Sequence, residues 1–310
     1  MSLMGRQDDV AGGAAVVNER LGVRAAIGAR ISDHVTLTKP GITVMVVVTA
    51  GIGFLVGSGG AIANWAGLVA ALVGTALSCM GASVFNQVYE RDTDALMTRT
   101  AERPLPAGRV SVGEAMVAGV VLAVAGVALL WVGTNVLAAT LSALTIVLYA
   151  MVYTPLKRLH NVSTVVGAVP GAMPPVIGYA AAAQWVGVEA VLLFAIMFWW
   201  QIPHFLAIGW LYREQYAKAG LPILPVVDPG GRQTFVQILV TSVLLLVAGV
   251  APTLLGYAGW LAFAVALAAG LGFFALAVRL VMAPTRGRAR GLFLASLVYL
   301  PVVLAAVVIG

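Results

Sequence analysis

WAGLVAALVGTALSCMGASVFNQVYERDTDALMTRTAERPLPAGR, residues 65–109, begins as an apolar run and ends as a crowd of charges. From 65 to 88 it is long enough to cross a hydrocarbon core of about 30 Å as a helix. Between 86 and 109 stand four carboxylates (Glu90, Asp92, Asp94, Glu102) and four arginines (Arg91, Arg99, Arg103, Arg109), in a chain of which only 10% is charged. Such a cluster at a membrane boundary calls for a reason beyond solubility.

Apolar runs of similar length recur through the 310 residues, 61% of which are hydrophobic, with a mean hydropathy of +1.00. Nine are expected to span the membrane, at about 42–57, 65–88, 111–132, 135–153, 162–183, 188–210, 234–254, 257–280 and 291–309. The expectation is therefore an all-α polytopic membrane protein, a bundle of nine transmembrane helices (36–310) behind a polar N-terminal segment (1–35). The polar segment lacks a short apolar core followed by a small-residue cleavage site, so span one is expected to serve as its own insertion signal. Cys79 is the one cysteine, which excludes a disulfide framework and a cysteine metal cluster.

The basic residues orient the bundle. Assigned to the segments between spans, all 18 lysines and arginines fall on one side, which the positive-inside rule makes cytoplasmic. The N terminus is then cytoplasmic and the C terminus on the opposite side of a plasma (inner) membrane. The net charge of +6 follows from this topology and from contact with anionic lipid, without nucleic acid. Of the 12 carboxylates only Glu189 falls on the far side, and carboxylates contribute little to orientation, so their clustering needs another cause.

If span two continues as a helix, Asn86, Glu90 and Asp94 lie at i, i+4 and i+8 along one face, with Asp92 close to the same end. Three oxygen donors in a row suit a hard divalent ion such as Mg²⁺, which commonly joins one or two carboxylates to a substrate's phosphates. Arg91, Arg99 and Arg103 are the matching phosphate contacts, since guanidinium pairs with phosphate oxygens in bidentate fashion. A solvated loop with internal ion pairs has the same spacing. Position favours the site, because Asn86 and Glu90 begin at the apolar span, where polar groups are expensive.

Two further boundaries are polar. Span four ends in YTPLKRLHN, where Tyr153, Lys157 and Arg158 could meet a diphosphate or simply anchor the helix. Span six, FWWQIPHFLAIGWLYREQYAKAG, holds Gln201 and His204 beside Pro203 inside an apolar run, then Glu214 and Lys218 at i and i+4. Pro170, Pro174 and Pro175 of span five are expected to break the regular helix and line a cavity.

With these clusters in hand, the chain resembles the UbiA-type intramembrane prenyltransferases, whose first signature, an Asn followed at four-residue steps by two acids, reads Asn86, Glu90, Asp94 here. The strings LTKPGI (37–42), the 86–109 stretch, YTPLKR (153–158), GAMPPVIGYAA (171–181), WQIPHF (200–205) and REQYAKAGLPILPVV (213–227) resemble the haem-farnesylating branch of that superfamily. The resemblance implies an active cavity near the cytoplasmic face and transfer of a farnesyl group from farnesyl diphosphate to a vinyl group of haem b, giving haem O and diphosphate with Mg²⁺ as cofactor. Carried over residue by residue, Asn86, Glu90 and Asp94 would hold metal and diphosphate, with Asp92 nearby. Arg91, Arg99, Arg103, Lys157 and Arg158 would contact phosphate, Tyr153 would donate to it, and Gln201, Glu214 and His204 would meet substrate. His204 leads His34 and His160 as the residue touching haem, at the iron or at a propionate. Glu90 and Gln215 stand where the family usually or often has Asp, and Ser163 where it often has Asn; the lost carboxylate at Gln215 argues for a single metal site. A haem-delivering or haem-modifying membrane partner would fit such an enzyme. The competing readings are a quinone-type aromatic polyprenyltransferase of the same superfamily, which usually carries a second acid pair where Glu214 and Lys218 stand, and a transporter, which would spread polar groups across the membrane's depth.

Overall fold

A computed structural model describes residues 27–310. Expectations for Arg6, Arg20 and Arg24 concern residues outside that range. The described chain is a succession of helices: α1 (27–37), α2 (Pro40–Gly57), α3 (Trp65–Ala95), α4 (Val112–Gly133), α5 (Val136–Val147) running through a π-helical turn (Leu148–Tyr153) into α6 (Thr154–Leu156), α7 (Ser163–Ala183), α8 (Val188–Leu211), the short α9 (Arg213–Lys218) and α10 (Leu224–Val227), α11 (Arg232–Leu254), α12 (Trp260–Met282) and α13 (Arg286–Ile309). Nine of these segments, α5 with α6 counted as one, are long and apolar enough to cross a membrane.

Helix starts are written in the sequence as side-chain caps. Asn64, Ser111, Asn135 and Thr285 each accept a hydrogen bond from the backbone N–H three residues on, satisfying one of the donors that a helix leaves free. Ends match the apolar runs closely, with two informative exceptions. Span two is helical to Ala95, carrying Glu90 and Asp94 past the apolar run, and the last span begins at Arg286 rather than near 291.

α3 packs on α4 and α2 on α7; α8 meets α7, α11 and α13, while α11, α12 and α13 follow one another in sequence order. The larger apolar core joins α8, α11, α12 and α13 through side chains such as Ile196, Leu206, Ile238, Leu245 and Leu300. A smaller one, around Phe54, Leu130 and Ile177, joins α2, α4 and α7. Without a hydrophobic drive between helices in lipid, close backbone approach carries the packing, and small residues permit it. A Cβ on Gly53 would strike the Pro175 carbonyl oxygen, and one on Gly178 would strike the carbonyl of Ala50, so α2 and α7 cross nearly backbone to backbone.

The expected break in span five is corrected by the structure. α7 is a continuous helix through Pro170, Pro174 and Pro175. Its tight crossing with α2 supplies the packing that lets a transmembrane helix keep its path despite lost backbone bonds. The irregular backbone lies instead at Leu148–Tyr153, where the π-helical turn sits.

Gly178→Val should therefore destabilise the detergent-solubilised protein by about 1–3 kcal/mol or more, the cost of overpacking, read as a lower thermal midpoint. Gly113→Ala, where a Cβ meets nothing, should leave the midpoint unchanged or slightly raised.

Candidate active site

Because α3 keeps its α-helical register to Ala95, Asn86, Glu90 and Asp94 share one face, and all three are buried. Each meets a cation from a different element. Lys39, between α1 and α2, donates from Nζ to Asn86 Oδ1 at 2.5 Å. Lys157, just past α6, donates to Glu90 Oε1 at 2.9 Å, and Arg103, in the α3–α4 loop, donates to Asp94 Oδ2 at 2.6 Å. Asn86 Nδ2 donates to Thr154 Oγ1 at 3.1 Å, tying α6 to one end of the row, and the Thr100 hydroxyl donates to the Asp94 carbonyl at 2.8 Å, tying the α3–α4 loop to the other.

Lys39 has a backbone φ of +49°, left-handed for a residue with a side chain. The following Pro40 disfavours the right-handed helical region for it, and the left-handed one costs about 1 kcal/mol. Strain of this kind persists where the surroundings over-determine it, and here it aims an ammonium at Asn86. Burial lowers the Lys39 pKa to about 8 against the pull of Glu90. Burial also works against the charge on Lys157, yet Glu90 outweighs it and holds that ammonium above the ordinary lysine value.

These groups form the mouth of one cavity of about 550 Å³. Lys39, Arg99, Arg103 and Lys157 there outnumber Glu90 and Asp94, leaving a surplus of two positive charges that suits an anion. Tyr149 and Tyr153, whose ring centroids lie 5.3 Å apart at a tilt of 35°, line the next level, both within the π-helical turn. Deeper walls are mostly apolar and aromatic, Met45, Trp200, Phe205, Phe293 and Leu297 among them, with Thr49, Gln201 and His204 among the polar groups. Gln201 Nε2 donates to the Met197 and Ala168 carbonyls at 3.1 and 3.3 Å, leaving its oxygen side toward Gly171.

Of the expected site residues, Asn86, Glu90, Asp94, Arg99, Arg103, Tyr153, Lys157, Gln201 and His204 line this cavity. Six do not, Arg91, Asp92, Arg158, Glu214, His34 and His160, for physical reasons. Asp92 lies two residues from Glu90, about 200° round the helix, and pairs with Arg91 at 3.0 Å on the exposed side. Arg158 turns back on α3, where its guanidinium donates to the Tyr89 carbonyl and sits 4.6 Å over the Tyr89 ring. Glu214 is on the exposed side of α9. His34 contacts Glu114 at 3.2 Å, and His160 accepts from the Val162 N–H, so neither reaches the cavity. Two polar or charged side chains at or just below the mouth, Lys39 and Tyr149, are among the cavity residues outside the expected set. Lys39 reads in sequence as one more boundary cation, and Tyr149 as one more apolar position.

Among the described residues no cluster of three or more His, Cys, Asp or Glu side chains is preassembled for a metal. The oxygen row offers two carboxylates and one amide, all opening on the cavity. That is the donor set of an ion completed by substrate phosphates rather than of an all-protein cage, so the residues fit Mg²⁺.

The chain belongs to the UbiA prenyltransferase family, whose match runs over residues 45–300. Among its relatives, protoheme IX farnesyltransferase of Solibacter usitatus (strain Ellin6076) is 45% identical over 280 residues, covering 87% of this chain and 96% of that one. The protein of the same name from Koribacter versatilis (strain Ellin345) is 42% identical over 296 residues, 92% of this chain and 95% of its own. A UbiA homologue from Archaeoglobus fulgidus bound to GPP and Mg²⁺ has the same fold, with a TM-score of 0.64 at 17% identity over 89% of this chain and 99% of that one.

Lys157→Met should cost about 3 kcal/mol or more of stability, because it leaves Glu90 buried without its partner; adding Glu90→Gln should recover most of that loss but no turnover, as read by thermal unfolding beside an activity assay. Lys39→Met should lower turnover about 10²-fold by removing one charge aimed at the mouth. Arg91→Ala, on the far side of α3, should stay within a few-fold of the parent.

Proposed function

We propose that this chain transfers the farnesyl group of farnesyl diphosphate to a vinyl group of haem b, with addition of water, giving haem O and diphosphate. The observation that carries the reading is one cavity joining a mouth of surplus positive charge to an apolar, aromatic interior, in a chain whose relatives include protoheme IX farnesyltransferases.

In this reaction the C–O bond to diphosphate breaks, the allylic carbon joins the terminal vinyl carbon, and water adds its oxygen to the other vinyl carbon and loses a proton. Lys39, Arg99, Arg103 and Lys157 bind the diphosphate and take up the charge that develops on it as it leaves. Asn86, Glu90 and Asp94 would hold Mg²⁺, which would supply further positive charge against the departing diphosphate. Tyr149 and Tyr153 present ring faces below the mouth, where they stabilise an allylic cation and shield it from early capture by water. The deeper apolar wall holds the isoprenoid and the porphyrin.

The charged end of the bundle faces the cytoplasm in this reading, with the C terminus outside and residues 36–310 forming the prenyltransferase domain of an inner-membrane enzyme. Ion pairs that join α1, the α3–α4 loop and the start of α4 support one common charged end: Arg109 with Asp33 at 2.9 Å and Arg30 with Glu114 at 2.6 Å.

Incubation of the purified protein with haem b, farnesyl diphosphate and Mg²⁺, followed by mass spectrometry of extracted haem, should yield haem O, and a chelator should abolish it. Unchanged haem alongside prenylation of a hydroxybenzoate would replace the haem reading with the quinone-type one.

A further inference from the structure

His204 lies near the middle of α8, about 10 Å along the helix from its end at Leu211. Its ring is held on three sides, stacked on Trp200 at 4.8 Å and packed by Phe205 at 5.3 Å and Phe293 at 5.2 Å. One ring nitrogen, Nδ1, is 2.6 Å from the Ser296 hydroxyl of α13. That hydroxyl is itself 2.5 Å from the Phe293 carbonyl, which can only accept. A serine has one proton to give, so it goes to Phe293, and the oxygen must accept from Nδ1–H. The turn of α13 that holds Ser296 is fixed in turn by Trp200 Nε1, which donates to the Ser296 carbonyl at 2.7 Å.

This chain of bonds decides the tautomer. With its proton on Nδ1, a neutral His204 carries a bare lone pair on Nε2, which has no hydrogen-bond partner among the described residues and belongs to a side chain lining the cavity. No carboxylate pairs with the ring to favour the doubly protonated form. A lone pair cannot donate to a propionate, but it can ligate a metal, and a histidine that ligates metal normally donates its other N–H to an oxygen, as here.

We infer that His204 Nε2 is an axial ligand to the iron of the haem substrate, and that Ser296 is the positioning residue that sets its tautomer and aim. The inference rests on the haem-farnesylating reading and decides between its two modes of contact, iron and propionate. Coordination would seat the porphyrin below the diphosphate mouth and resist its tumbling in an otherwise apolar chamber.

The test is haem b titrated into the full-length protein in detergent without farnesyl diphosphate, followed by Soret and visible absorption and by electron paramagnetic resonance of the ferric form, with haem O formation assayed in the same preparations. The parent should show a histidine-ligated spectrum. His204→Ala should lose it and bind haem at least about tenfold more weakly, and added imidazole should restore the spectrum, which a misfolded variant could not do. Ser296→Ala should weaken binding about 10–100-fold, the usual cost of removing the partner that orients a ligating histidine, and shift the spectrum at matched occupancy. A His204→Ala spectrum identical to the parent's would overturn the ligation, while haem O from the parent in that preparation would leave farnesyl transfer standing. A parent that neither binds haem nor forms haem O would overturn both.

Discussion

Everything at the charged end of this bundle depends on partnering two carboxylates that lie where little water reaches them. Glu90 and Asp94 are as buried as core leucines, and an isolated charge there would cost several kcal/mol. The chain meets that cost by bringing a lysine and an arginine to them from separate elements and a second lysine to the neighbouring Asn86. Each contact also acts as a strut: the residue before α2, the end of α6 and the α3–α4 loop are all drawn onto one face of α3. The interactions that make the fold affordable are thus the ones that assemble the mouth. Because these cations already face the cavity, an arriving diphosphate meets donors in place, and little reorganisation precedes binding.

The bundle was legible because its signal is redundant. Nine apolar runs of spanning length leave few alternatives, and caps such as Asn64 and Ser111 mark where helices begin. The oxygen row was legible for a related reason: the helical period does not stop at the membrane boundary, so spacing alone put Asn86, Glu90 and Asp94 together. The cations were harder. Arg91 and Arg103 are equally arginines near equally spaced acids, but the first is held by its neighbour Asp92 on the outside of α3, while the second folds back from a loop whose path depends on Thr100 and tertiary packing. Lys39 carried no local sign at all, since a basic residue at a boundary is what topology already demands.

Proline was informative in part. Three prolines in α7 suggested a broken helix beside a cavity; backbone contact with α2 through Gly53 and Gly178 holds the helix in line, while the cavity is there, lined by Gly167, Gly171 and Pro174. The segment that does depart from regularity, Leu148–Tyr153, holds no proline of its own and is followed by Pro155; of its two tyrosines the sequence singled out Tyr153 and not Tyr149. Tyr149 and Tyr153, four residues apart, share one wall beneath the mouth, as that spacing places them in an α-helix too.

That wider turn also makes residue number, rather than residue identity, a carrier of information. Each residue of an α-helix advances the chain by about 100°, so shortening 148–153 by a single position would swing Lys157 through more than a quarter of a circle relative to α5, away from Glu90. Tyr149 and Tyr153 apart, side chains in the turn can be exchanged so long as they fit the wall, whereas its length is tied to the angle at which a lysine beyond it reaches a carboxylate on another helix. A substitution here acts at its own place on the wall, while an insertion or deletion acts on the assembly of the whole mouth.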